Sequence, residues 1–291
     1  MTSSKSDVEV SYDVSNDFFR LWLDDSMHYT SASYLTGRES LEEAQRNKAK
    51  ILAEYAEIGP DSLTLDIGCG WGAMLEYLVT RGVRRAHGIT LSTSQHEEIA
   101  RRALPGVTTW VCDYADFTPD EKYDALLSVE MLDHLCSPEQ ARGGEAVDLY
   151  RAYFRKCASW VRPGALFGFQ AILRDRVPRT RADLADLKFT ADVIFPGGLN
   201  PRIEELVMAV RPYWEIIEMR TQRECYGRTT AEWLRRLRLH EEVIRDRFGV
   251  RVFEDYDRYL STCVRAFANE WSSDVQMKLR FCRSEQPRAA P

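Results

Sequence analysis

Apolar positions from residue 60 onwards follow a repeating strand–turn–helix rhythm. Leu63–Ile67 is a short apolar run that ends in a cluster of glycines, and Leu75 and Leu78 then recur at helical spacing. Similar patterns predict further strands at 86–90, 108–112, 123–129 and 165–172, and further helices at 92–103 and 147–161. Because strands that alternate with helices form parallel crossover units, the pattern predicts an α/β fold with a doubly wound sheet.

The segments on either side of this core have mainly helical patterns. Ser40 and Glu43 have the spacing of a capping box, and a helical pattern runs from there to Gly59-Pro60. Two more strands are predicted in the C-terminal third, with a long helical stretch between them. Residues 1–10 and 285–291 are not expected to hold fixed structure. We expect a single domain over 1–291, divided into a helical N-terminal cover (1–60), a core (61–172), helical lid insertions (173–213 and 223–272) and final strands (214–222 and 275–283).

Composition and charge narrow the class of protein. The chain has 291 residues, of which 44% are hydrophobic and 29% charged, as in globular proteins. Its net charge of −6 argues against nucleic acid or an anionic membrane as a partner. The sequence lacks a bilayer-spanning apolar run and an apolar N-terminal signal, so we expect no stable membrane insertion and a cytoplasmic location. Seven widely spaced cysteines without a CxxC pair predict neither a metal site nor a disulfide framework.

The strongest chemical signal is the glycine-rich turn after the first strand. It contains Asp66, Gly68, Gly70 and Trp71 in the order DxGxGWG, and its glycines allow a sharp turn and close approach to a ligand. The pattern resembles the cofactor loop of class I methyltransferases, which bind S-adenosylmethionine (SAM). That resemblance implies a Rossmann-like, mostly parallel seven-stranded sheet, with these four residues at the cofactor. A tight turn without a ligand and a dinucleotide site are the alternatives.

Several other segments resemble the family of cyclopropane fatty acid and mycolic acid cyclopropane synthases. They are the N-terminal segment YDVSNDFF with the later Tyr29-Thr30-Ser31, the string GITLS followed by Gln95, FPGG at 195–198, and Cys225-Tyr226. The resemblance implies that Tyr29 and Thr30 contact SAM, and that Thr90 and Gln95 stand where many methyltransferases place an acidic residue for the ribose. Asp113 and Tyr114 follow the third strand, where the class I pattern places adenine contacts.

The resemblance also implies a reaction. In the family an alkene attacks the methyl group of SAM, and the resulting carbocation loses a proton to give a methylated alkene or a cyclopropane. Such a site must exclude water and hold a base. The family's base is held to be bicarbonate, bound by a glutamate, a histidine, a tyrosine and backbone near a cysteine. The corresponding positions here are Asp133, Gln170, Tyr226 and Ser31, and Glu130 stands where the family usually has glycine.

These departures lead to our functional hypothesis. Glu130 or Asp133 takes the proton or stabilises the cation, and the altered cage argues against bicarbonate without removing it as an alternative. The expected acceptor is a small molecule with an alkene, lipid-like or of the isoprenoid or polyketide type. Arg174, Arg176, Arg179 and Arg181 either meet a phosphate group on that acceptor or form a solvated charged face. An N- or O-methyltransferase and a SAM-binding scaffold are the rival functions, and the sequence does not set the oligomeric state.

Overall fold

The computed structural model describes residues 15–282. Three predicted segments therefore lie outside the described residues: the YDV part of the N-terminal signature, and the terminal segments 1–10 and 285–291 that are predicted to lack fixed structure. The sheet strands are β1 (Leu63–Ile67), β2 (Arg85–Thr90), β3 (Val107–Val111), β4 (Tyr123–Val129), β5 (Val161–Arg174), β6 (Trp214–Thr221) and β7 (Ser272–Phe281). The helices are α1 (Asn16–Arg20), α2 (Leu41–Tyr55), α3 (Ala73–Thr80), α4 (Thr93–Arg102), α5 (Pro138–Arg142), α6 (Ala146–Ser159), α7 (Arg181–Phe189), α8 (Ile203–Val210), α9 (Arg223–Leu239), α10 (Glu241–Arg247) and α11 (Val250–Ala268).

The seven strands form one sheet in the order β3-β2-β1-β4-β5-β7-β6. Neighbouring strands from β3 to β5 pair in parallel, and β7 runs antiparallel to both β5 and β6. The predicted Rossmann-like, mostly parallel sheet is confirmed. The chain crosses to the other side of β1 between β3 and β4, which makes the carboxyl ends of β1 and β4 a topological switch point, where open α/β sheets bind ligands.

The capping box of α2 is confirmed, but the helix is shorter than predicted. The Glu43 N–H donates to Ser40 Oγ at 3.2 Å, and the Ser40 N–H donates to Glu43 Oε2 at 2.8 Å. The helix ends at Tyr55 rather than at Gly59-Pro60. Glu57 has a left-handed φ of 48°, and the Ile58 N–H donates back to Ala53 O at 3.1 Å. This Schellman closure usually uses glycine, so the later Gly59 misled the prediction.

Strand β5 extends beyond the predicted 165–172 at both ends. Its polar and glycine-containing ends interrupt the apolar pattern, but backbone pairing continues, with Val161 beside Tyr123 and Arg174 beside Ser272. Strand β7 likewise begins at Ser272, before the predicted start at 275. Hydrogen bonding to a neighbouring strand therefore sets these ends, and the hydrophobic pattern of one strand does not report it.

A second layer covers the carboxyl edge of the sheet. Aromatic and aliphatic side chains of α1, α9, α10 and α11, together with Trp22 just after α1, pack in one buried cluster that includes Phe18, Trp233 and Tyr256. A π-helical turn, Thr190–Ile194, extends α7 towards the FPGG segment. Helix α8 falls within the predicted first lid insertion, yet its buried Leu206 packs in the core of the sheet because the helix lies against α6. Among the described helices, none has the length and hydropathy required to cross a bilayer.

Candidate functional site

A cavity of about 520 Å³ lies between the carboxyl edge of the sheet and the helical cover. Its volume is in the usual range for small-molecule sites. All ten residues predicted to bind the cofactor line it, as do three of the five predicted catalytic residues. The lining cofactor set is Tyr29, Thr30, Asp66, Gly68, Gly70, Trp71, Thr90, Gln95, Asp113 and Tyr114, and the lining catalytic set is Glu130, Asp133 and Tyr226.

The glycine loop leaves an open acceptor at one end of this cavity. Gly68 and Gly70 have φ values of 79° and 53°, a region that L side chains rarely adopt. Asp66 is 2% exposed, and its Oδ1 atom has no hydrogen-bond partner among residues 15–282. Burial raises the pKa of Asp66 to about 7, against the opposing charge of Lys48. An unpartnered carboxylate oxygen beside a close backbone approach fits a ligand that carries a cationic amino group.

The neighbouring strand ends continue this wall. Thr90 Oγ1 donates to Gln95 Oε1 at 2.8 Å. The side-chain NH2 group of Gln95 is therefore the remaining hydrogen-bond donor of this pair. Asp113 Oδ1 accepts the Ala115 N–H at 2.8 Å and so caps the turn after β3. The Tyr114 ring lies edge-on to Tyr153, with ring centroids 5.2 Å apart. The structure therefore brings the predicted ribose and adenine positions to one side of the cavity.

Glu130 lies at the centre of the predicted catalytic residues. Its Oε1 atom accepts the Ser31 N–H at 2.7 Å and the Gln170 Nε2–H at 2.7 Å, and its Oε2 atom accepts the Tyr226 hydroxyl at 2.6 Å. We call these three donors the donor cage. Burial raises the pKa of Glu130 to about 7, although the hydrogen bonds from Tyr226 and Ser31 oppose this effect. A carboxyl group poised near neutral pH is suited to accept a proton.

Further contacts hold the residues of the donor cage in place. Ser31 and Gln170 do not line the cavity, but both reach it through Glu130. Gln170 Oε1 accepts the Gln276 Nε2–H at 2.8 Å, and the two residues face each other across β5 and β7. The Tyr226 ring stacks on Phe267 at a centroid distance of 4.5 Å. Gln276 is not predictable from the sequence, because a lone glutamine in a strand has no motif around it.

Lys48 was also missed, although the sequence contains a signal for it. It is 0% exposed and lies on the buried face of α2 between Leu41 and Leu52. A lysine at an apolar position of an amphipathic helix indicates a buried partner. Its Nζ atom lies 3.0 Å from His28 Nδ1 and 2.5 Å from Thr30 Oγ1, so it supports a segment that lines the cavity.

Asp133 is the second carboxyl group at the cavity. It lies in a 3₁₀ turn, Leu132–His134, and its Oδ1 atom is buried without a hydrogen-bond partner within the described part of the chain. His134 Nε2 is 3.7 Å from Asp133 Oδ2, and burial raises the pKa of Asp133. Its carbonyl accepts the Leu199 N–H at 2.9 Å, which ties this turn to the segment after FPGG.

Aromatic rings form much of the remaining wall. Phe195 of the FPGG segment lies between Tyr29 and Tyr259, with ring centroids at 6.2 and 5.5 Å. Trp71 also lines the cavity, and its indole N–H donates to Asn16 Oδ1 at 2.7 Å. Such a wall excludes water, and its ring faces stabilise nearby positive charge.

The predicted arginine group is divided by the structure. Arg174 and Arg176 line the cavity, whereas Arg179 and Arg181 do not. Arg174 pairs with Glu205 at 2.7 Å, and Arg176 pairs with Glu270 at 2.6 Å. Both cavity arginines therefore already have carboxylate partners.

Comparison with known proteins agrees with this architecture. A family model described as mycolic acid cyclopropane synthetase matches residues 1–277. The cyclopropane-fatty-acyl-phospholipid synthase of Escherichia coli (strain K12) is 27% identical over 268 residues, covering 91% of this chain but only 64% of that protein. The structure of the cyclopropane synthase MmaA2 from Mycobacterium tuberculosis matches with a TM-score of 0.87 at 25% identity, covering 96% of this chain and 99% of that chain.

A second solved structure has the same fold. The mycolic acid cyclopropane synthase CmaA1, complexed with SAH and CTAB, matches with a TM-score of 0.86 at 23% identity, and the match covers 96% of this chain and 99% of that chain. The likeness extends over both the sheet and the helical cover, and the family match spans nearly the whole sequence. The chain therefore belongs to the mycolic acid cyclopropane synthetase family.

Proposed function

We propose that the chain is a SAM-dependent C-methyltransferase that methylates an alkene carbon of a small, lipid-like molecule. The observation that carries this proposal is the position of Glu130, a carboxylate held by three donors at an aromatic-walled cavity. A methyltransferase acting on an amine or hydroxyl needs mainly proximity. A reaction through a carbocation needs in addition a fixed anionic group, a proton acceptor and a dry site.

The cofactor assignment follows from the family and from the chemistry of the lining. SAM supplies an electrophilic methyl group on a sulfonium centre, and the related CmaA1 was solved with SAH. With SAM bound, the unpartnered Asp66 Oδ1 would accept a hydrogen bond from the amino group of its methionine part, and Thr90 and Gln95 would bind the ribose. Asp113 and Tyr114 would hold the adenine, and Tyr29 and Thr30 would contact the cofactor from the N-terminal segment.

The residues of the chain then direct the reaction. With SAM bound, the alkene π electrons would form a carbon–carbon bond to its methyl group while the S–CH3 bond breaks and its electron pair stays on sulfur, which leaves positive charge on the neighbouring carbon of the acceptor. Glu130 stabilises that charge electrostatically, since the donor cage fixes its two oxygens before the reaction begins. Glu130 next takes a proton either from a carbon adjacent to the cationic carbon, whose C–H electrons form the methylated alkene, or from the transferred methyl group, whose C–H electrons form the third bond of a cyclopropane.

Glu130 thereby takes the place that the family resemblance gives to bicarbonate. Three of the four groups that correspond to the family's cage donate to the Glu130 carboxylate, namely the Ser31 backbone, Gln170 and Tyr226. A carboxylate attached to the chain makes a diffusible one dispensable. Asp133 lines the same cavity with an oxygen that has no hydrogen-bond partner among the described residues, and it is the second candidate for the proton acceptor.

For the acceptor, we propose a specialised metabolite of the isoprenoid or polyketide type, methylated in the cytoplasm. Support comes from the altered cage, which distinguishes this chain from the family pattern, and from the net charge of −6, which is unfavourable for an anionic membrane surface. If the acceptor carries a phosphate group, Arg174 and Arg176 at the cavity must exchange their carboxylate partners for it.

Turnover with SAM, followed by mass spectrometry, tests the proposal. The acceptor panel contains geranyl and farnesyl diphosphate, unsaturated acyl thioesters, and simple amines and phenols. We expect a gain of one CH2 on an alkene-containing acceptor, and NMR then separates a ring from a branch. E130Q, which retains the shape of the side chain, is expected to lose this turnover. Products from amines or phenols alone would refute C-methylation and leave the family and fold intact.

A further inference from the structure

Lys48 has a charged group where the chain otherwise buries apolar side chains. It is 0% exposed, and its Nζ atom contacts His28 Nδ1 at 3.0 Å and Thr30 Oγ1 at 2.5 Å. Burial lowers the pKa of His28, so its ring is neutral and accepts a hydrogen bond from the ammonium group. Two hydrogen bonds replace only part of the lost hydration of an ammonium ion, so a buried lysine requires negative charge nearby.

Four carboxyl groups on different elements act electrostatically on Lys48 and oppose the effect of burial on its pKa. They are Asp24 of the N-terminal segment, Asp66 of β1, Glu130 at the end of β4 and Asp274 of β7. Burial lowers the pKa of Lys48 to about 8. Lys48 is therefore mainly protonated at neutral pH, despite its burial. Asp24 is the structural member of this group, because its Oδ1 atom accepts the His28 N–H at 3.0 Å.

Lys48 is also linked to the donor cage through the backbone. Thr30, which accepts from Lys48, directly precedes Ser31, whose N–H donates to Glu130 at 2.7 Å. Gln45, one turn earlier on α2, donates to the Thr30 carbonyl at 2.9 Å. Helix α2 thus holds Thr30 by its side chain and by its carbonyl group. These two contacts set the direction of the Ser31 N–H.

We infer that Lys48 is a positioning residue for the methyl transfer: it keeps the Glu130 carboxylate charged and holds Thr30 so that the Ser31 N–H points at that carboxylate. The inference rests on the proposed role of Glu130 as proton acceptor. Tyr226, Gln170 and the Ser31 N–H stabilise the same charge by hydrogen bonds, and burial and Glu130 raise the pKa of Asp274 well above its usual value. Lys48 therefore counteracts the effect of burial on Glu130.

Three substitutions separate the charge of Lys48 from its size. K48Q retains a donor for Thr30 without the charge, K48M removes both, and K48R retains the charge. L52A is the matched control, because Leu52 lies one turn later on the same buried face and is also 0% exposed. Two readouts are used: the pH dependence of kcat, and the infrared titration of the Glu130 carboxyl, identified by its loss in E130Q.

We expect K48Q and K48M to move the acid limb of the kcat profile upward by about one pH unit or more, because a nearby opposite charge normally favours the carboxylate by that amount. The infrared titration of Glu130 should move by the same amount. K48R should return both towards the wild-type values, and L52A should lower the melting temperature without moving either. K48M should further weaken turnover at high pH, where Glu130 is ionised in every variant.

Two results would overturn the inference. The first is a K48Q variant whose acid limb and Glu130 titration coincide with wild type, and the second is an equal shift in L52A. K48Q is the deciding variant because it removes the charge but retains a polar side chain with an N–H donor, one bond shorter than lysine, so the test stands even where K48M does not fold. The infrared titration needs no turnover. A failure of alkene methylation in the wild-type enzyme is therefore distinguishable from a failure of Lys48 to act on Glu130.

Discussion

Glu130 has a backbone conformation that side chains rarely adopt. Its φ of 54° is left-handed, and its N–H is fixed by donation to Gln170 O at 2.9 Å. Such a conformation costs a non-glycine residue on the order of 1 kcal/mol. Glycine is the family's usual residue at this position, as the sequence resemblance implies, and it adopts this conformation without strain. The strain at Glu130 is therefore the cost of bringing a carboxylate into the donor cage.

This conformation leads to a rescue experiment. In E130G the backbone strain is relieved, but three donors lose their acceptor, so we expect a melting temperature below that of wild type that rises when an anion binds in the donor cage. Alkene methylation should fall by about 10²–10⁴-fold, as when a general base is removed. Bicarbonate or formate should restore part of the rate, because Ser31, Gln170 and Tyr226 still present their donors. Turnover is measured with and without the anion, with chloride at equal ionic strength as the reference.

The double variant E130G/Y226F is the control for this rescue. It removes one donor of the cage and should respond more weakly to the added anion. Wild-type turnover in E130G without any added anion would contradict the assignment of Glu130 as proton acceptor and would direct attention to Asp133.

At the scale of elements, the sequence predicted features within one strand–helix turn better than a site that several elements form together. The glycine loop lies within one strand–helix turn, so its pattern was sufficient to place Asp66, Gly68 and Gly70 at the cavity. The donor cage joins residues 99, 96 and 40 positions apart, so its assembly depends on how four elements pack. The resemblance identified the members of the cage, but the residues alone did not show that they all donate to one carboxylate.

Helix α9 gives Tyr226 two separable contacts. Its hydroxyl donates to Glu130 Oε2 at 2.6 Å, and its ring stacks on Phe267 of α11. Y226F keeps the stacked ring and removes the donor. We expect little change in melting temperature, a fall in kcat of about tenfold or more, and a shift of the acid limb to higher pH, because the lost hydrogen bond favoured the charged carboxylate.

The measurement is kcat against pH for Y226F and wild type, with F267L as a control that disturbs the stacked pair without removing the hydroxyl. F267L should lower thermal stability more than Y226F and move the acid limb less. An acid limb that does not move in Y226F would show that the hydroxyl does not stabilise the Glu130 carboxylate in solution.

At the scale of the whole molecule, the cavity joins two carboxyl groups with different tasks. Both Asp66 at the end of β1 and Glu130 at the end of β4 line the cavity, and in the proposed function Asp66 binds the cofactor while Glu130 acts on the acceptor. The pKa of each is raised to about 7 by burial. A cationic ligand binds the ionised form of a carboxyl group preferentially, so cofactor affinity and proton loss are linked.

This linkage gives a signed prediction for SAM binding. Between about pH 5 and 7 the folded, ligand-free protein holds a proton on Asp66 that an unfolded aspartate would have lost. SAM must expel that proton to pair its amino group with the carboxylate, so its affinity should rise with pH by up to about tenfold per unit below pH 7 and level off above it.

Calorimetry at pH 6 in two buffers of different ionisation enthalpy should detect proton release on binding. D66N should weaken binding and abolish the pH dependence, whereas E130Q, which leaves Asp66 in place, should retain most of it. A pH-independent affinity in the wild-type protein would mean that Asp66 does not receive the cationic group, and its open oxygen would then need another partner.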